Sequence, residues 1–290
     1  MKFAVKTLVA ATAFAAMGSA FAGNATLNVG ASVTDSGWTL SDLSGSGRLV
    51  FSDTLISALN TAAVQFETVA PATLNAPKDS SGKYTKGGTV YADAPVQALS
   101  GAFDGTTFSV TQVATAGGAK QITVKNGATL GAGWLSISNL TVDLTAKIVR
   151  ADLDGGNGFT AIKQYDLWSF QSIDGPTSFS VPDPAAQSVF NVSNGIHGLF
   201  FVNQADGLAK FSQALNLNST GTAALKAVDN KASTTNLDPA TKTAAGFGWI
   251  NSTISVTATP VTAAVPEPST YALMGLGLVG LGFATRRRAK

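Results

Sequence analysis

From residue 24 onward the chain keeps returning to an apolar–polar alternation of period two. Leu27, Val29, Ala31 and Val33 alternate with Asn28, Gly30 and Ser32, the pattern of a strand with one buried face. The same signal predicts strands at 48–51, 107–113, 121–125, 134–138, 188–192, 198–202 and 247–259, and most clearly at 140–149. In that last run Leu140, Val142, Leu144, Ala146 and Ile148 share one side. Asp104-Gly105, Asn126-Gly127, Asp154-Gly155 and Asp174-Gly175 punctuate the strands, and such pairs favour tight turns because they tolerate positive φ. Gly45-Ser46-Gly47 is expected as a flexible turn. Residues 70–95, with Pro71, Pro77, Gly82, Gly87 and Gly88, are expected as an exposed loop.

Helical spacing interrupts this rhythm in three places. Ser52 or Asp53 can cap a helix that puts Leu55, Ile56, Leu59, Ala63 and Phe66 on one side. Further helices are predicted at 204–215 and 220–228, followed by a polar loop over 229–245. A short echo joins two of these regions: Leu49-Val50-Phe51 and Leu199-Phe200-Phe201 each precede a helix. The expected fold class is mainly β, a β-sandwich-like domain with a few helical insertions spanning residues 23–260.

The two ends follow a different pattern. Residues 1–22 carry Lys2 and Lys6, an apolar centre, and Ala20-Phe21-Ala22 before Gly23. That order predicts a signal peptide, with Ala20 and Ala22 forming the A-x-A site just before the cleavage position. Residues 261–290 begin with a linker and continue into Val265-Pro266-Glu267-Pro268, an apolar segment over 269–285, and a basic end with Arg286, Arg287, Arg288 and Lys290. Two prolines one residue apart hold the tetrapeptide extended. The apolar segment sits at the short limit of roughly 17–25 residues for a membrane span, and the arginines form a cytoplasmic stop. Gly275, Gly277 and Gly280 spell GxGxxG, but a dinucleotide site needs a preceding strand and an acidic residue about 20 positions on, so that reading fails.

This tail, residues 265–290, resembles the PEP-CTERM sorting signal of exported proteins of Gram-negative bacteria. The resemblance implies export, a transient hold in the inner membrane, recognition and cleavage by an exosortase at the proline-flanked motif, and delivery to the cell surface or extracellular matrix. It implies nothing about the role of the domain in front.

These assignments change the charge balance. The chain has 19 basic and 17 acidic residues. Without Lys2, Lys6 and the four basic residues of the tail, 13 basic residues remain against 17 acidic, a net of −4. No basic surface is left for nucleic acid. There is no cysteine, which removes thiolate metal sites, thiol catalysis and lipoprotein anchoring.

Candidate chemistry is sparse. His197, the only histidine, lies in Asn194-Gly195-Ile196-His197-Gly198 and is expected in a turn leading into a strand, without a partner nucleophile. Asp152, Asp154 and Asn157 offer oxygen ligands at calcium-loop spacing, although the closing glutamate is missing, since glutamate occurs only at positions 67 and 267. Calcium is the one cofactor these residue types suggest. Trp134 and Trp168 are expected in the core, and Trp38 is the tryptophan expected to be exposed for sugar stacking. The expected function is non-enzymatic, structural or associated with extracellular polysaccharide. The alternatives are a secreted glycan hydrolase and a calcium-dependent adhesive module.

Overall fold

The structure is a computed structural model that describes residues 24–35, 37–104, 106–123, 132–180 and 186–261. The signal peptide, the Asn126-Gly127 turn, Val265 to Pro268, the hydrophobic segment and Arg286 to Arg288 lie outside the described residues. The chain begins with β1 (Asn24–Asn28), β2 (Val33–Asp35) and β3 (Trp38–Phe51), then α1 (Asp53–Thr61), β4 (Gln65–Val69) and β5 (Thr73–Asn75). A run of antiparallel strands follows: β6 (Tyr91–Phe103), β7 (Thr107–Thr115), β8 (Gly118–Thr123), β9 (Gly133–Asp143), β10 (Ile148–Gly155), β11 (Ile162–Asp174), β12 (Ser178–Ser180) and β13 (Ser188–Phe201). Helices α2 (Gln204–Leu215) and α3 (Ser219–Val228) come next, and β14 (Gly248–Pro260) ends the described chain.

The protein is mainly β, and the two layers expected of a sandwich are the walls of one sheet that closes on itself. Pairing runs β7–β6–β3–β14–β13–β11–β10–β9, and β9 returns to β7 through Thr141–Asp143 against Gln112–Ala114. Closure depends on a bend between β7 and β8. Gly117 adopts φ +77° there, and a Cβ would collide with the backbone of Ala72 and Val69. The bend lets one continuous stretch pair with β6 in its first half and with β9 across both halves.

Four of the five longest strands, β3, β6, β13 and β14, run from one pole to the other. Inward side chains form two separate apolar clusters along them. One pole is built from strands alone, around Leu27, Trp38, Leu40, Phe103, Phe108 and Val256. The other gathers Phe51, Leu135, Trp168 and Phe201 from the sheet and Phe247 from the turn before β14, and α1, α2 and α3 cover it with Leu55, Leu59, Phe211 and Leu225. The echo noted above maps to this second pole. Both β3 and β13 flank β14 antiparallel, so both deliver their following helix to the same end.

All three helices start on side-chain caps that satisfy otherwise orphaned N–H groups. Ser52 Oγ accepts from Leu55 N at 3.3 Å, Asn203 from Asp206 N at 3.2 Å, and Asn218 from Gly221 N at 2.9 Å.

Several local expectations change. Gly45-Ser46-Gly47 is not a turn but lies inside β3, where a Cβ on Gly45 would strike Thr253 O of the neighbouring strand. The predicted 140–149 strand is the end of β9, a turn and the start of β10. Asp143 breaks it by accepting from the backbone N–H of Thr145 and Ala146 at 3.1 and 2.8 Å. The 188–192 and 198–202 strands are one strand, β13. Residues 70–95 contain β5 and the first residues of β6.

Candidate functional site

The helix-covered pole holds a cavity of about 410 Å³. The wall from β3, β6 and β8 carries small residues, Gly47, Ala92, Ala94, Gly118 and Ala119, where a filled barrel interior would place larger side chains. Leu55, Ile137, Trp168, Phe211 and Phe247 complete an apolar lining. Its exposed lining residues, Thr61, Thr220 and Ala227, belong to α1 and α3. The cavity therefore opens to solvent between those two helices. For scale, an engineered apolar cavity of roughly 150 Å³ stays dry and takes up benzene.

None of the lining residues is charged. Gln121 is the buried polar one, at 6% exposure, and its carboxamide has no hydrogen-bond partner among the described residues. The hydroxyls of Ser57 and Thr61 are turned back onto their own helix, donating to Asp53 O at 2.7 Å and Ser57 O at 2.9 Å. Trp168 Nε1 is buried without an acceptor. Sequence reasoning missed this site. Its only trace there is the small residues Ala92, Ala94 and Gly117-Gly118-Ala119, and nothing in their spacing says that they face one space.

His197 is not in a turn. It sits in β13 on the outer face of the barrel wall, at 2% exposure, beneath residues 229–246. Its Nδ1 lies 2.8 Å from Oδ2 of Asp238, which is fully buried. Its Nε2 is 3.1 Å from Asp174 Oδ2, within ion-pair distance but too poorly aligned for a hydrogen bond, so Nε2 has no aligned partner. Asp238 also accepts from Ala240 N at 2.7 Å. The covering segment is a fitted strap rather than a free polar loop. Asn236 donates to Gly246 O at 2.9 Å, and Asp229 accepts from Phe201 N at 2.7 Å and from Gln204 Nε2 at 2.8 Å. Burial raises the pKa of Asp229 above the usual carboxylate range, despite those two donors.

The three residues suggested for calcium take separate structural parts. Asp152 Oδ2 accepts from Asn139 at 2.9 Å and from Lys163 Nζ at 2.8 Å, and Oδ1 accepts from Gln164 N at 3.0 Å. Burial pushes this carboxyl up, but the bonds from Asn139, Lys163 and Gln164 outweigh it and hold the pKa at about 2. Asp154 Oδ1 accepts from Gly155 N at 2.8 Å. Asn157 directs its amide to Ala132 O and Ala214 O at 3.3 and 3.1 Å. A cation at Asp152 would have to displace an ammonium and several N–H donors. No group of three or more His, Cys, Asp or Glu able to hold a metal occurs among the described residues.

Trp38 is a core residue at 5% exposure, because β3 begins with it and turns it into the strand-only cluster. Trp168 is buried as expected. Trp134 is half-buried, with Lys120 Nζ 5.0 Å from its ring centroid. Two other half-exposed aromatics, Trp249 and Tyr91, flank Val50 in register across β14, β3 and β6. Arg48 lies 4.0 Å over the Tyr91 ring and forms a bidentate pair with Asp93 at 2.8 and 2.9 Å.

No helix among the described residues is long and apolar enough to cross a membrane. No curated protein and no solved structure matches the chain. Residues 264–288 match the family model of the PEP-CTERM protein-sorting motif. The C-terminal segment is a PEP-CTERM sorting signal, and it marks the chain as an exported, exosortase-sorted protein with a membrane-anchored precursor.

Proposed function

We propose that residues 23–260 form a non-enzymatic structural domain of the cell surface or extracellular matrix that associates with extracellular polysaccharide. The observation that carries this reading is the sorting motif, which starts four residues after the end of β14. β14 ends at the strand-only pole, so the precursor's tether continues covalently from that end of the barrel. Support for a glycan partner comes from the outer face. Trp249 and Tyr91 provide half-exposed rings for sugar stacking, and Arg48, Asp93 and Asn251 supply hydrogen-bonding groups beside them. The sealed position of His197 favours a binding role over acid–base chemistry, because a substrate would have to lift the 229–246 strap to reach it.

The test is co-sedimentation of the exported protein with polysaccharide extracted from the same cells. Binding is expected to fall at least about tenfold in Trp249→Ala and in Tyr91→Ala, the range that loss of an aromatic platform gives. No reducing ends should appear on incubation. Their release would establish a hydrolase, and an absence of co-sedimentation would remove the glycan partner. Glu267→Ala is expected to retain residues 286–290 in the intact mass, which separates sorting from binding.

A further inference from the structure

The cavity between α1 and α3 is not used by any of the functions above, and its chemistry is specific. A charged ligand group inside it would lose its hydration with no counter-charge to receive it, since no lining residue is charged. A sugar would leave most of its hydroxyls unpaired against leucine, phenylalanine and alanine. Gln121, by contrast, offers two N–H donors and a carbonyl acceptor with no protein partner among the described residues. The volume falls in the range of sites that enclose a small organic ligand.

We propose that this cavity binds an uncharged, hydrocarbon-rich small molecule bearing one neutral hydrogen-bonding group, which Gln121 anchors. The ligand enters between α1 and α3 and lies against the Gly47, Ala92, Ala94 and Ala119 wall.

A pair of fluorescent probes tests this on the exported protein. N-phenyl-1-naphthylamine is neutral and apolar, and 1-anilinonaphthalene-8-sulfonate is the same skeleton with a sulfonate. The neutral probe is expected to saturate at one per chain, and the sulfonate to bind at least tenfold more weakly. Ala58→Trp and Ala224→Trp, each filling the space from a helix, should weaken the neutral probe at least tenfold without loss of strand signal in circular dichroism. Displacement of the probe by 1-decanol should exceed that by decane, and Gln121→Leu should erase the difference. Equal binding of both probes, or unchanged binding in the two folded tryptophan variants, would overturn the proposal. Should the tryptophan variants not fold, the probe pair on the unaltered protein still decides. Trp249 and Tyr91 lie on the opposite face of the wall, so a failure of the glycan reading leaves these outcomes unmoved.

Discussion

The two poles of the barrel share the same long strands and bury their inward side chains in opposite ways. At the strand-only pole the space is filled by rings: Phe108, Phe179 and Phe190 stack in sequence with centroids 5.1 and 4.7 Å apart. At the other pole β3 and β6 switch to glycine and alanine on the same inward face, and three helices close over a space that the strands leave open. A barrel interior is filled or hollow according to side-chain size on a few strands, and one sheet here does both. The filled pole is where the described chain ends, and the hollow pole holds the cavity.

The contrast can be broken most sharply at Phe108. Phe108→Ala should destabilise the protein by about 3–5 kcal/mol in urea unfolding, as truncation of a buried ring does. Ala94→Val, at the hollow pole, should change stability by less than about 1 kcal/mol, because the added methyls enter existing space rather than a packed core. Equal effects at the two sites would mean that the poles do not differ in packing. Asp238→Ala is expected to cost about 3 kcal/mol by leaving His197 buried without its carboxylate. Amide exchange should accelerate over residues 229–246 and stay unchanged around Phe108.

A smaller effect separates the carboxylates of half-buried Asp152 and buried Asp229 by pH. Asp152 is held at about 2 against an ordinary 3.8, so its contribution is complete above about pH 4 and is lost as pH falls towards 2. Near neutral pH this amounts to about 2 kcal/mol, and Asp152→Asn should remove both the stability and that acid limb in thermal melts. Asp229 has the opposite sign. Its raised pKa makes the folded state favour the protonated form, so its contribution declines as pH rises through that raised value, and Asp229→Asn should flatten the decline. The smallest effect expected is that of calcium. With Asp152 occupied by Lys163, Asn139 and Gln164, millimolar calcium should move the melting temperature by less than about 1 °C, since stabilisation by a ligand requires its concentration to exceed the dissociation constant.

Much of the secondary structure was legible in residue pattern. The spacing of Leu55, Ile56 and Leu59 behind Ser52, and the apolar periodicity of residues 204–215, located α1 and α2, because caps and helical faces are local properties. The Asp104 and Asp174 turns were legible for the same reason. Gly45 and Gly47 misled, since a glycine needed for close approach of a neighbouring strand looks the same in sequence as one needed for a turn. Leu144 and Ala146 continued an alternation that the Asp143 side chain interrupts. Trp38 misled because its neighbours Gly37 and Thr39 say nothing of which core the strand meets.

By itself the sequence determined the address of this protein and its β-rich character. Sorting signals are read as short linear segments, and strand alternation is set by neighbours along the chain. Only the tertiary structure decided that β9 closes onto β7, that Asp238 and Asp174 bracket His197, and that small residues from β3, β6 and β8 face one hollow. Each of these joins residues tens of positions apart, and such contacts exist only after the chain has paid its entropy to close the barrel.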